Sequence, residues 1–132
     1  MASIFTRIVE GEIPCYKIAE SDRFFAFLDI NPVQKGHTLV IPKQETDYLF
    51  DVENETLGGL IVFAKSIARA IDTSLQPIRT GIIVEGLEVP HAHIHLIPIY
   101  DANQSFSLGR SLSLPSEEMQ SIAQTISAEV HL

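Results

Sequence analysis

Residues 89–98, VPHAHIHLIP, set His91, His93 and His95 at every second position, with Ala92, Ile94 and Leu96 between them. In an extended strand the side chains of residues i, i+2 and i+4 leave the same face, and neighbours in such a row stand roughly 6.5–7 Å apart. The stretch therefore predicts a strand over Val89 to Ile97 with an apolar back and a front of three imidazoles, close enough to meet different parts of one small ligand. The chain has only five histidines, so placing three of them here is a deliberate concentration of one chemistry.

Working outward, RTGIIV at 79–84 is an apolar run joined to the histidine stretch by so short a connection that the two read as a hairpin. Upstream, YKIAESDRFFAFLDI at 16–30 predicts two strands broken at Ser21-Asp22. Asn31-Pro32 then forces a turn, and GHTLVIP at 36–42 predicts a third strand. Between 54 and 74, Leu57, Leu60, Ile61, Ala64, Ile67, Ala68 and Ile71 recur at helical spacing, with Glu55, Lys65, Arg69 and Asp72 on the other side. After Pro115-Ser116, where the serine is a candidate cap, Glu117 and Glu118 suit the positive end of a helix, and Met119, Ile122, Ile126 and Val130 share a face. The expected fold is α+β, a five-stranded and mainly antiparallel sheet with one long helix and a C-terminal helix at 115–130. Residues 100–114 are expected to form a mobile loop.

An apolar content of 45% in 132 residues can fill a core without metal or disulfide staples, so a single domain over 1–132 is expected. The opening MASIFTRIVEGEIP carries Arg7, Glu10 and Glu12, which interrupt both a signal-peptide core and a membrane span. Cys15 is the only cysteine, which fits a reducing compartment. These features predict a cytoplasmic protein without a membrane partner. A net charge of -8 lacks the basic stripe that a nucleic-acid backbone needs, so no nucleic acid is expected as partner. A small phosphate ester stays open, because a local nest of N–H groups suffices to hold it.

Three chemistries compete for the alternating histidines. They can be solvated or satisfied residues of a half-buried strand. Two imidazoles at i and i+2 can chelate a metal, although a mononuclear site recruits a further ligand, and neither Cys15 nor Glu88 is placed in a recognisable ligand pattern. Or one imidazole can act as a nucleophile, with one ring nitrogen free and the other held as N–H by an acceptor. A histidine of ordinary pKa, near 6.5, is roughly three-quarters neutral at about pH 7, so the lone pair needs no special tuning. Phosphorus is a suitable target, being attacked in line while donors stabilise its equatorial oxygens.

HAHIHLI at 91–97 matches a His-x-His-x-His signature followed by apolar residues, and EIP at 12–14, FLDINP at 27–32 and KGHTLVIPK at 35–43 accompany it at fitting distances. Over about residues 3–99 the chain resembles the histidine-triad (HIT) superfamily. The resemblance implies a hydrolase or transferase that attacks the α-phosphorus of a nucleoside phosphate derivative, cleaving a P–N or P–O bond through a covalent nucleotidyl-histidine. By position His93 is the nucleophile, held by the backbone carbonyl of His91, while His95 contacts phosphate oxygens and His37 supports the triad from behind. Asp29 matches the acid that receives both ribose hydroxyls, with a turn cap before Asn31-Pro32 as the competing role. Phe5, Ile8, Ile13, Phe27 and Ile30 match positions that wall a purine base, though core packing accounts for some of them equally well. No cofactor is implied. A homodimer is implied, with the helix near 54–74 and the fourth strand at the twofold axis, and an edge as apolar as GIIV calls for such cover.

The chain departs from the family pattern in two places. One branch of the family binds structural zinc through an N-terminal Cys-x-x-Cys and a histidine after the third strand, whereas Ser3, Thr6 and Gln44 stand here, so no metal is expected. VEGLEV at 84–89 is shortened relative to many relatives: Gly86 persists, but Leu87 and Glu88 replace a polar pair, and Glu88 brings negative charge toward an anionic substrate. This leaves a nucleotide-binding or interaction module with little chemistry as the alternative reading.

Overall fold

The computed structural model describes residues 2–132. Its sheet has five strands, β1 (Lys17–Glu20), β2 (Phe24–Leu28), β3 (Thr38–Pro42), β4 (Arg79–Ile83) and β5 (Ile94–Ile99), in the spatial order β1-β2-β3-β5-β4. Every neighbouring pair is antiparallel: β1–β2, β2–β3 and β4–β5 are consecutive in the chain, and β3–β5 is the one pair that is not. Three helices accompany it: α1 (Ile4–Val9), α2 (Asn54–Leu75) and α3 (Ser116–Ser127).

β2 and β3 are buried at every residue, because both faces of the sheet are covered there. Phe24, Ala26, Leu28, Val40, Ile94 and Leu96 leave one face and meet Leu60, Phe63, Ala64, Ile67 and Ile71 of α2 and Met119, Ile122 and Ile126 of α3. The alternate residues Phe25, Phe27, Leu39 and Ile41 leave the other face and pack with Phe5 of α1. The register pairs Phe27 with Leu39 and Leu39 with His95, so the period-two pleat sends His95 to the α1 face while Ile94 and Leu96 anchor β5 in the helix-covered core. The sheet thus serves as a partition, with the large core on one side and the histidines on the other.

Several boundaries differ from expectation for identifiable reasons. The fifth strand begins at Ile94, not Val89: the His91 N–H donates back to the Val89 carbonyl at 2.8 Å, a three-residue turn centred on Pro90, and the Ala92 N–H is drawn to the Thr46 carbonyl at 2.6 Å. Only His95 of the triad lies inside a strand. The C-terminal helix stops at Ser127, and its cap position is Pro115; Ser116 is the first helical residue, and its hydroxyl is 2.9 Å from the Tyr16 hydroxyl. On α2 the apolar stripe is rotated from the one the spacing gave, burying Phe63 and leaving Ile61 about half exposed. Helix α1 was not anticipated: it is six residues long, with Ser3 as its cap accepting the Thr6 N–H at 3.0 Å. Residues 100–114 contain no helix or strand, yet the segment is fastened to the body, with the Tyr100 hydroxyl donating to the Lys35 carbonyl at 2.5 Å and the Leu112 N–H to the Pro32 carbonyl at 2.6 Å.

Leu60 is completely buried between α2 and the sheet. Leu60→Ala is expected to destabilise the protein by about 2–5 kcal/mol through lost transfer energy and a residual cavity, measured as a lower denaturant midpoint at unchanged m-value.

Candidate active site

The turn at Pro90 decides how the triad is presented. It swings the His91 ring into the interior, where it is fully buried, with Nε2 2.7 Å from the Pro42 carbonyl oxygen at the end of β3. A carbonyl only accepts, so Nε2 carries the proton and Nδ1 presents a lone pair, which lies 2.8 Å from the Ser3 hydroxyl. The expectation that all three imidazoles face one ligand is therefore corrected: His91 contributes its backbone, not its ring. That backbone carbonyl lies 2.7 Å from Nδ1 of His93. The same reasoning places the His93 proton on Nδ1 and leaves Nε2 as a bare lone pair. The Phe5 ring meets His93 edge-on, with centroids 5.0 Å apart and planes at 86°, and restricts rotation of the imidazole.

A second chain of hydrogen bonds fixes His95 in the opposite sense. The Val33 N–H donates to Nδ1 of His37 at 3.1 Å, so the His37 proton sits on Nε2, 2.9 Å from Nδ1 of His95. His95 then accepts at Nδ1 and keeps its own proton on Nε2, the nitrogen that His37 does not engage. Burial, reinforced by the neighbouring His95, pushes His37 down to about 3, and burial together with His93 pushes His95 down to about 4. Burial also lowers His91, against the opposing effect of its bond to Pro42. Burial thus favours the neutral forms of His37, His91 and His95.

The cleft has two lobes that share Asp29, Asn31, Glu88, His93 and His95. One, of about 210 Å³, is an apolar slot walled by Phe5, Ile8, Ile13, Phe27 and Ile30, the same five residues picked out in the sequence. The other, of about 260 Å³, is polar and bounded by His37 and by Glu85, Gly86 and Glu88 of the β4–β5 connection. Gly86 takes φ +74° there, the left-handed region that favours glycine. Asp29 follows β2 with one oxygen, Oδ1, accepting the Asn31 N–H at 2.9 Å and the other, Oδ2, 3.5 Å from Nε2 of His37. Turn cap and cleft carboxylate are therefore both present in one side chain. Burial raises the Asp29 pKa, the Asn31 N–H pulls it back, and Glu88 raises it further.

Some lining residues were not foreseen. Leu108, Gly109 and Ser111 of the 100–114 segment close one side of the polar lobe, and Glu85 adds a third carboxylate. His93 also borders a depression formed with Tyr48, Phe50 and Leu87. The walls of the two lobes carry carboxylates but, among the described residues, no lysine or arginine.

One group has the composition of a metal site, and a second stands at the positions weighed for structural zinc in the sequence. Asp29, His37 and His95 bring ligand atoms within 4.8 Å of one another. However, His37 accepts the Val33 N–H at Nδ1 and so must keep a proton on Nε2, the atom a metal would need. Ser3, Thr6 and His91 converge with Glu45, which takes the place expected for Gln44, but two hydroxyls and a carboxylate already bonded to one another do not make the thiolate and imidazole set that structural zinc selects. Neither group fits a resident metal.

With this geometry in place, the comparisons identify the family. The model of the HIT domain matches residues 10–102. The chain is 34% identical to the adenosine 5'-monophosphoramidase of Schizosaccharomyces pombe, covering 98% of this chain and 99% of that protein. It is 39% identical to the adenosine 5'-monophosphoramidase of Saccharomyces cerevisiae over 82% of this chain and 69% of that one. A HIT-like protein of Bartonella henselae, solved by crystallography, superposes with a TM-score of 0.84 at 31% identity, covering 97% and 96% of the two chains. The chain belongs to the HIT family.

The buried histidines predict a pH dependence of stability. Their folded pKa values lie below the unfolded value near 6.5, so the unfolded chain binds more protons and stability falls with pH below that value, down to about pH 4 for His95 and about pH 3 for His37. From about pH 7 to about pH 5 the expected loss is about 2 kcal/mol for each ring. Urea titrations across this range should show it, and His37→Gln should flatten the slope.

Proposed function

We propose that the protein is a nucleotide hydrolase of phosphoramidase type, releasing a nucleoside monophosphate by way of a covalent nucleotidyl-His93. The reading is supported by membership of the HIT family and by the two yeast relatives named adenosine 5'-monophosphoramidase. The observation that carries it is the 2.7 Å contact between His93 Nδ1 and the His91 carbonyl, which leaves Nε2 as a lone pair on the wall of the cleft. In the proposed reaction the Nε2–P bond forms as the P–N or P–O bond breaks, with the leaving group departing in line and taking a proton from solvent. The His91 carbonyl then stabilises the cationic nucleotidyl-imidazole through Nδ1–H. His95, with its Nε2–H, donates to a phosphoryl oxygen, and His37 holds His95 in that tautomer. Water finally breaks the Nε2–P bond.

The base, a purine in this reading, occupies the slot of Phe5, Ile8, Ile13, Phe27 and Ile30, and Asp29 receives the ribose hydroxyls. Glu85 and Glu88 line the polar lobe, where the leaving group lies, and their charge disfavours a polyphosphate there while tolerating a neutral or cationic amine. The proposal includes a cytoplasmic setting, consistent with the single half-buried thiol of Cys15. It also includes a homodimer, because β4 is an edge strand with Ile82 exposed, Val84 is exposed just beyond it, and α2 exposes Ile61 and Val62.

Incubation with an adenosine phosphoramidate is expected to give a protein mass increased by one nucleotidyl group, and His93→Ala is expected to lose both the adduct and turnover, by about 10³-fold or more. Wild-type binding of AMP without any product would instead favour the binding module. Glu88→Gln is expected to raise kcat/KM about three- to fivefold for substrates with an anionic leaving group and to change it little for a neutral amine, in steady-state assays at low salt.

A further inference from the structure

The two hydroxyls and the carboxylate gathered behind His91 are not part of the cleft, yet they are wired to it. Oε1 of Glu45, beyond the end of β3, accepts the Ser3 N–H at 2.7 Å and the Thr6 hydroxyl at 2.7 Å. With the Thr6 proton given to Glu45 and the Thr6 N–H bonded to Ser3 Oγ at 3.0 Å, the Ser3 hydroxyl is left to donate to Nδ1 of His91 at 2.8 Å. His91 in turn donates from Nε2 to the Pro42 carbonyl, and its own carbonyl receives the His93 proton. Thr6 Oγ1 also lies 3.3 Å from Ser3 Oγ, but Nδ1 of His91 is the nearer acceptor at 2.8 Å, so the chain runs Thr6 to Glu45, Ser3 to His91, His91 to Pro42, His93 to His91.

We propose that Glu45, acting through Ser3 and Thr6, is a positioning residue that holds His91 and thereby fixes the tautomer and aim of His93. The inference rests on the reading of His93 as nucleophile. Three separate pieces of chain meet at this point, since the Ala92 N–H also bonds to the Thr46 carbonyl at 2.6 Å, one residue from Glu45. The tether has a second effect: Ser3 caps α1, whose Phe5 and Ile8 wall the apolar slot and whose Phe5 ring abuts His93. Bonds from the Ser3 N–H and the Thr6 hydroxyl hold the Glu45 carboxyl down to about 2, so it is an acceptor at neutral pH.

The test compares Glu45→Ala, Glu45→Gln and Ser3→Ala in the full-length protein. Imidazole ¹⁵N–¹H correlation spectra read the tautomers of His91 and His93 directly, kcat and KM are measured with an adenosine phosphoramidate, and thermal midpoints are recorded alongside. Glu45→Ala is expected to turn the His93 spectrum from the Nδ1–H form into a mixture and to lower kcat about tenfold. Glu45→Gln keeps an acceptor oxygen and is expected to fall between wild type and Glu45→Ala in both readouts. Ser3→Ala removes the bond to His91 while leaving Glu45 and Thr6 paired, and is expected to disturb the His91 and His93 signals together. Wild-type tautomers and kcat in Glu45→Ala and Ser3→Ala, whatever the change in thermal midpoint, overturn the proposal, as does a Glu45→Gln no better than Glu45→Ala. If Glu45→Ala does not fold, the other two variants decide. The spectra need no turnover, so an inactive wild type would end the catalytic reading while the tether is still judged by the tautomers.

Discussion

A carbonyl oxygen cannot donate a hydrogen bond, and much of this structure follows from two of them, at Pro42 and His91. The Pro42 oxygen settles the proton of one imidazole, and the backbone oxygen of that same residue, His91, settles the proton of the next. Neither assignment involves a charged partner, so no desolvated ion pair has to be maintained. The geometry depends instead on the backbone path from Val89 to Ala92, and that path depends on Pro90, whose fixed φ suits the tight turn that returns the His91 N–H to Val89. Had the stretch continued as a regular strand, the His91 ring would stand beside His93 and its carbonyl would be committed to a ladder.

The sheet then sorts two hydrogen-bond chains with opposite endings. One starts at α1 and Glu45, passes through His91, and ends at His93 with a lone pair. The other starts at the Val33 N–H, passes through His37, and ends at His95 with an N–H. The two rings are neighbours, with centroids 4.9 Å apart. An acceptor and a donor of the same residue type are thus set side by side by hydrogen bonds to backbone groups and to one neighbouring neutral ring, where strongly shifted acids and bases would otherwise be needed. Burial reinforces the arrangement by keeping His37 and His95 neutral, and the cost appears as stability that depends on pH.

What the sequence made legible follows from periodicity. The runs FFAFL and TLVIP announce strands buried on both faces, the stripe of α2 announces its helix, and the five apolar residues and Asp29 singled out through the resemblance line one slot. What it concealed is set by contacts distant in sequence or too short to show a period. Helix α1 has six residues, fewer than two turns, so its apolar positions cannot establish a repeat. The rotation of α2 that buries Phe63 and exposes Ile61 depends on where the sheet lies beneath it. Glu45 meets Ser3 across 42 positions, and nothing local distinguishes it from Gln44 beside it. The start of β5 was misjudged because alternation of side chains persists through an extended segment whether or not a neighbouring strand is paired with it.

The charge on the cleft walls completes the argument about selectivity. The imidazoles supply directional hydrogen bonding, no lysine or arginine lines the lobes among the described residues, and Asp29, Glu85 and Glu88 surround the same space. In the proposed reaction a phosphoryl group entering it is held by oriented N–H groups and by burial of the base and ribose, not by bulk attraction. Each additional phosphate on the ligand adds repulsion without adding a slot contact, whereas an amine adds none. Selectivity of this kind arises from what the walls withhold: the apolar lobe provides binding that is indifferent to charge, and the acidic rim penalises the more anionic of two ligands that fit equally well.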